Sequence, residues 1–149
     1  MSVTETNEPD RARLSGEHRL SATVIGLALF VPLAVACCLE PNPQNRGTHQ
    51  QLGLPPCTFV VLFGRPCPTC GMTTAWAHLV RGHGIHALRA NVGGTLLGIV
   101  DLVAAPWLLL SAACGRWLGW APNGTAVAWA AVPIVLVTLI DWGVRLMTG

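Results

Sequence analysis

Three long apolar stretches separate polar or irregular segments along this chain. The first, Leu20 to Leu39, contains no charged residue over 20 positions. A helix of that length, at about 1.5 Å per residue, crosses the roughly 30 Å hydrocarbon layer of a bilayer. The pattern therefore predicts an all-α integral membrane protein, with a flexible polar tail over residues 1–19 and a single membrane domain over 20–149. Its predicted spans are 20–39, 92–114 and 126–146.

The segment from residue 40 to residue 91 is interrupted by prolines and glycines, and we expect a cysteine-rich loop followed by one helix. Its apolar run, 58–63, is too short to cross the bilayer as a helix, so it is either a re-entrant piece or a cap on the bundle. Between Gly71 and Arg81 the apolar residues recur with a helical period. Gly82 and Gly84 are predicted to end that helix.

The composition supports a membrane location. Hydrophobic residues make up 52% of the chain and charged residues only 11%, with a mean hydropathy of +0.52. Water-soluble domains carry about 25% charged residues, so this chain has too few charges to cover a globular surface. The net charge of +2 is too small and too scattered to indicate nucleic-acid binding.

Three spans that alternate in direction place the end of the first, the start of the second and the end of the third at one membrane face. Only one cysteine, Cys114, is expected at the other face. Asp101 and Asp141 lie in the half of the bilayer nearer the cysteine-rich face. The predicted polar groups of that face are Cys37, Cys38, Cys57, Cys67, Cys70, His49, His78, His83 and His86.

The distribution of arginines is the evidence for the orientation of the chain in the membrane. With the N-terminus inside, four arginines are cytoplasmic and five are outside, so the positive-inside rule does not decide. The arginines that precede the first span favour a cytoplasmic N-terminus. An alternative is that residues 20–36 are part of a signal peptide that is cleaved before Cys37.

The sharpest local motif is Cys67-Pro68-Thr69-Cys70-Gly71-Met72-Thr73, which leads into the predicted helix. A thiolate at a helix N-terminus is stabilised by free N–H groups and the helix dipole. The motif suits a reactive dithiol, half of a zinc site, or a structural disulfide or thiol pair. No βαβ pattern surrounds it and no second Cys-x-x-Cys exists, so a zinc site would need Cys57 and a histidine.

The predicted helix is amphipathic and is expected to lie at the membrane interface. About 100° per residue places Cys70, Thr74, His78 and Arg81 within one arc. Exposure to solvent is the default expectation for such polar side chains. The opposite arc, which we expect against the bundle or in the interface, consists of Met72, Trp76, Leu79 and Val80.

Two carboxylates and one glycine pair stand out in the later spans. Asp101 needs a partner inside the bundle, either as a proton- or ion-handling group or, as we prefer, in a hydrogen bond between helices. Asp141 is four residues from Arg145 and is predicted to pair with it. Gly94 and Gly98 form a Gly-x-x-x-Gly pair that lets another helix approach closely, within the chain or between chains.

Residues 57–91 resemble an uncharacterised family of small bacterial membrane proteins, domain-of-unknown-function family 2752. The family's Arg and Pro are replaced here by Thr74 and Val92, and Arg81 is the candidate substitute for that Arg. The resemblance implies a multi-pass protein of the bacterial cytoplasmic membrane in which the motif matters, and it implies no activity. The matching residues are Cys57, Gly64, Cys67, Pro68, Cys70, Gly71, Thr73, Gly82 and Asn91.

Together these observations favour a non-enzymatic accessory or assembly component with a structural Cys-Pro-x-Cys-Gly motif at one membrane face. One alternative is a membrane thiol–disulfide oxidoreductase, with Cys67 as nucleophile and Cys70 as resolving thiol. A second is a metal-binding or transport module that holds zinc through Cys57, Cys67, Cys70 and His78. The expected partners are lipid and other membrane proteins, or a second copy through Gly94 and Gly98.

Overall fold

The computed structural model describes residues 13–148, and every regular element in this range apart from an isolated bridge is helical. Residues 1–12 of the predicted tail lie outside the described residues. The helix predicted to start at Leu20 begins earlier, because Ser15 caps it by accepting a hydrogen bond from the His18 N–H. A 3-10 helix spans Thr48–Leu52. The α-helices are α1 (Gly16–Cys38), α2 (Thr58–Phe63), α3 (Met72–Leu79), α4 (Gly84–Ala90), α5 (Val92–Cys114) and α6 (Gly124–Thr148).

Three of these helices, α1, α5 and α6, are long and apolar enough to cross a membrane. This confirms the predicted fold class. Helices α1 and α5 pack closely, and a side chain added at Gly26 of α1 would lie 2.9 Å from Leu109 of α5. Helix α6 lies at the edge of the bundle and exposes large apolar side chains, among them Trp129 and Ile140. Such surfaces are suited to contact with lipid acyl chains.

Helix α3 lies inside the bundle, so the solvent exposure predicted for its polar arc is wrong at Thr74, whereas Arg81 is exposed as predicted. It packs against α1, α4, α5 and the 3-10 helix, and none of its residues is classed as exposed. Thr74 is buried and its hydroxyl lies 2.7 Å from that of Thr48. The short side chains Thr74 and Ala77 let neighbouring segments cover the arc that helical spacing had assigned to solvent.

The Gly94–Gly98 pair makes its close helix contact within the chain. A side chain at Gly98 would meet Trp76 and Leu79 of α3 at 2.8 Å. The indole N–H of Trp76 donates to the Gly94 carbonyl at 2.7 Å. The predicted apolar arc of α3 therefore packs on α5.

The segment between the first two spans contains more helix than the sequence predicted. Gly82, at a φ of +77°, turns the chain after α3, and the unpredicted helix α4 follows from Gly84. The apolar run 58–63 forms α2, which exposes its last three residues. Its Phe59 ring contacts Trp142 of α6 edge-on at 6.3 Å.

The ends of the three long helices meet at the predicted common face. Arg81, which follows α3, donates to the Ala36 and Cys37 carbonyls at the end of α1. Trp142 of α6 donates to the Pro66 carbonyl at 2.8 Å. At the opposite face, the Leu14 N–H donates to the Gly115 carbonyl beside Cys114.

The two membrane carboxylates behave differently. Asp141 pairs with Arg145 at 2.8 Å, as their spacing predicted. Asp101 is buried, with 3% of its surface exposed. The predicted hydrogen-bond partner for Asp101 is not found among residues 13–148.

Candidate functional site

Three thiols converge at the cysteine-rich face. The sulfur atoms of Cys57, Cys67 and Cys70 all lie within 4.8 Å of one another, and each residue is half-buried. The Cys67 and Cys70 sulfurs are 3.2 Å apart, and all three thiols are free. Cys57 is the residue at the N-cap position of α2, whereas Cys67 and Cys70 lie in the turn before α3. We call these three side chains the thiol cluster.

The local fold of the motif follows from a tight turn that ends on a glycine. The Cys70 N–H donates to the Cys67 carbonyl at 3.1 Å, and the Cys67 N–H approaches the Cys70 sulfur at 3.3 Å. Gly71 caps α3 at a φ of +91°, in the left-handed region that favours glycine. A side chain at Gly71 would also collide with the carbonyl oxygens of Ala90 and Asn45.

Two residues outside the motif hold its backbone in place. The amide of Asn91, which is almost fully buried, donates to the Pro68 carbonyl at 3.0 Å and to the Cys70 carbonyl at 3.1 Å. Its side-chain oxygen accepts from the Gly94 N–H and so caps α5. Arg145 of α6 donates to the same two carbonyls, at 3.1 Å for Cys70 and 3.4 Å for Pro68. The thiol cluster is thus anchored to both later spans.

The environment separates the acidities of the thiols. Backbone hydrogen bonding from Val60, helped by the Cys70 and Cys67 side chains, lowers the pKa of Cys57 to about 7 against the opposing effect of burial. Burial, with the hydrogen bond to Cys67, raises the pKa of Cys70 to about 12. The pKa of Cys57 is thus lowered toward neutral pH, and Cys57 joins Cys67, the nucleophile of the oxidoreductase alternative, as a candidate reactive thiol.

The cluster opens into a cleft of about 550 Å³. Arg46, His49 and Gln50 line the cleft together with the thiols, and Thr73 of the motif lines it as well. The His49 Nε2 atom lies 3.3 Å from the Pro55 carbonyl. A cleft of this size admits a small ligand or the loop of a partner to the sulfur atoms.

Two candidate residues from the sequence analysis lie away from the thiols. His78 is at the far end of α3, where its ring packs against His86 and His83 at 5.3 and 5.9 Å between centroids. Burial, followed by these two neighbours, lowers the pKa of His78. His78 does not join the three thiols as the predicted fourth ligand, because Cys70 lies in the turn before α3 and His78 lies near the far end of that helix. Arg81 binds the end of α1 instead.

Sequence reasoning missed Arg145, Trp142 and His49 as parts of this site. The spacing of Arg145 from Asp141 indicated an ion pair within one helix and gave no sign of a contact 75 residues away. The aromatic residue at a span end was accounted for by the membrane interface. His49 was expected at the same membrane face, but no local signal identified it as part of the site.

The segment that contains these groups is similar to a known protein family. Residues 57–105 match the family model described as a protein of unknown function, DUF2752. The family suspected from the motif is confirmed over that segment. The DUF2752 match holds all three thiols, Gly71 and Asn91, and it continues into α5. No curated protein and no solved structure matches the chain.

Proposed function

We propose that this protein is a non-enzymatic membrane component whose thiol cluster binds a zinc-class metal ion at one membrane face. The observation that carries this is the convergence of three sulfur atoms within 4.8 Å. A Cys-x-x-Cys pair forms a disulfide or a dithiol with two thiols alone. Here a third thiol from a separate chain segment joins the pair, which favours a metal site. The metal would join α2 to the turn before α3, which stabilises that face.

The donor set suits zinc. Zinc–sulfur bonds are about 2.3 Å long, so two sulfurs of a tetrahedral site are separated by about 3.8 Å. The sulfurs of the thiol cluster, all within 4.8 Å of one another, are close to such a spacing. The Cys57 thiolate is already favoured near neutral pH, and thiolates are the form that binds metal. His49 or a water molecule in the cleft would supply the fourth ligand, in place of His78.

Cobalt titration tests the proposal, because Co²⁺ occupies zinc sites and gives a thiolate charge-transfer band. We expect one cobalt ion per full-length chain in detergent after chelator treatment and thiol reduction. Cys57→Ser, Cys67→Ser and Cys70→Ser should each weaken binding strongly. Cys114→Ser at the other face and His78→Gln should leave it unchanged. Cobalt binding that survives Cys57→Ser with the same spectrum would refute the three-thiol site.

A second candidate function is thiol–disulfide exchange, favoured by the 3.2 Å separation of the Cys67 and Cys70 sulfurs. In this reaction a thiolate of the pair attacks a partner disulfide and displaces one of its sulfurs as a thiolate. The second thiol then resolves the mixed disulfide. Cys67 and Cys70 together lose two electrons and two protons, and the partner disulfide becomes two thiols.

Equilibration in graded glutathione buffers separates the two candidates. An exchange enzyme should show a reversible Cys67–Cys70 disulfide with a defined midpoint, in metal-free protein and in a Cys57→Ser variant alike. A metal site should instead lose its thiol reactivity when zinc is added. A pair that neither oxidises reversibly nor is protected by zinc excludes both functions.

We further propose that the N-terminus is cytoplasmic and that the thiol cluster faces the other side of a bacterial inner membrane. The arginines before α1 support this orientation. Labelling of intact cells with a membrane-impermeant maleimide tests it. Cys57 should react from outside and Cys114 only after lysis, and the reverse pattern would invert the topology.

A further inference from the structure

A second cleft beside the thiol cluster is lined by four arginines. It encloses about 320 Å³, and Arg46, Arg65, Arg89 and Arg145 all contribute to its wall. These four come from the loop after α1, the loop after α2, α4 and α6. They are separate in the sequence and gather only in the fold. No Asp or Glu among the described residues lines the cleft itself.

The four guanidinium groups differ in the hydrogen bonds and ion pairs that they make. Arg145 pairs with Asp141 and donates to carbonyls of the motif, and Arg65 donates to the Leu146 carbonyl at the end of α6. The side chains of Arg46 and Arg89 make no hydrogen bond or ion pair within residues 13–148, and both are exposed. The cleft therefore holds a net positive charge and two free guanidinium forks.

We propose that this cleft binds a phosphate group. Guanidinium forks match phosphate oxygens through paired, charge-assisted hydrogen bonds. Basic pockets between membrane-spanning helices also bind the phosphate of lipid headgroups. The inference does not depend on a metal at the thiol cluster, because none of the four arginines is a candidate metal ligand.

The surroundings of the cleft favour the phosphate of an anionic phospholipid. The apolar side chains of Val61, Leu62 and Phe63 are 65–69% exposed. Only Gly64 separates them from Arg65 in the sequence. Helix α6, which ends at the cleft, exposes apolar side chains along its length. Acyl chains covering these surfaces would leave their phosphate at the level of the arginines.

The test uses full-length protein in a neutral detergent. Native mass spectrometry measures binding of phosphatidylglycerol and phosphatidylcholine, and calorimetry measures inorganic phosphate in lipid-free detergent. The double variant Arg46→Gln/Arg89→Gln should weaken phosphatidylglycerol binding by about ten-fold or more, because it removes two charge-assisted donors. The matched control is Arg13→Gln/Arg116→Gln, which removes two exposed arginines at the opposite face and should have no effect.

The outcomes separate the sources of the phosphate. Binding of phosphatidylglycerol that depends on Arg46 and Arg89, without measurable binding of inorganic phosphate, assigns a lipid site. Binding of inorganic phosphate with the same dependence assigns a site for a free phosphate ligand. The proposal is overturned if neither probe distinguishes the cleft variant from the control, provided that circular dichroism shows both to be folded.

Discussion

The side-chain amide of Asn91 donates to the carbonyl oxygen of Cys70 at 3.1 Å, across 21 residues of sequence. The same side chain caps the N-terminus of α5 through the Gly94 N–H. One buried residue thus fixes the turn that carries two thiols to the start of a membrane span. This accounts physically for the Asn in the motif that suggested the family.

Replacement of Asn91 by alanine should destabilise the protein and the thiol cluster together. The change removes a helix cap and leaves two carbonyls with fewer donors in a buried site, a cost of about 2–4 kcal/mol. We expect a lower melting temperature by circular dichroism in detergent and weaker cobalt binding. Asn123→Ala removes the exposed cap at the start of α6, which accepts from the Ala126 N–H. That control should cost about 0.5–1 kcal/mol and leave cobalt binding intact.

Gly71→Ala should be more damaging than the same change at another left-handed glycine. At Gly71 the added methyl group meets the Ala90 and Asn45 carbonyls, whereas at Gly82, with a φ of +77°, nothing lies within 4 Å. Gly82→Ala should therefore lower the free energy of unfolding only by the cost of a left-handed backbone, about 1–2 kcal/mol. Gly71→Ala adds a steric clash with backbone atoms. Equal melting temperatures for the two variants would contradict the close packing of α3 on the end of α4.

The thiols of the metal-free, reduced protein should alkylate in a defined order as pH rises. The pKa of Cys57 is lowered to about 7, so its thiolate fraction and alkylation rate should increase through neutral pH. The pKa of Cys70 is raised to about 12, so it should stay protonated and unreactive up to pH 10. Iodoacetamide labelling between pH 5 and pH 10, read by peptide mass spectrometry, measures both. Faster labelling of Cys70 than of Cys57 at pH 8 would show that the assigned environments are wrong.

Arg81→Ala should loosen the contact between α1 and α3. The guanidinium donates to the Cys37 carbonyl at 3.1 Å and the Ala36 carbonyl at 3.3 Å, where a cation is also favoured by the helix dipole. Loss of these hydrogen bonds at an exposed site should lower the free energy of unfolding by about 0.5–1.5 kcal/mol. Arg116→Ala at the opposite face is the charge-matched control. If Arg81→Ala lowers the melting temperature and Arg116→Ala does not, Arg81 acts as a cap on α1. Equal melting temperatures for the two variants would show that it does not.

The hydrophobic pattern by itself determined the fold class and the gathering of polar groups at one face. Length and apolarity decide which segments suit a bilayer, and three alternating spans leave no freedom in which ends meet. The Asp141–Arg145 pair was also predictable, since both groups lie on one helix face. These features depend on local sequence alone.

The tertiary structure decided the composition of the site. Helical spacing placed His78 on the same arc as Cys70, yet an arc does not specify the position along the helix axis. Cys70 lies in the turn before α3 and His78 near the far end of that helix. The same spacing assigned Thr74 to solvent, but the 3-10 helix covers it through Thr48. Arg145 and the four-arginine cleft depend on contacts between distant segments, which no local pattern encodes. Only packing brings Cys57 to the motif, because the short apolar run that forms α2 between them carries no signal of where the chain returns.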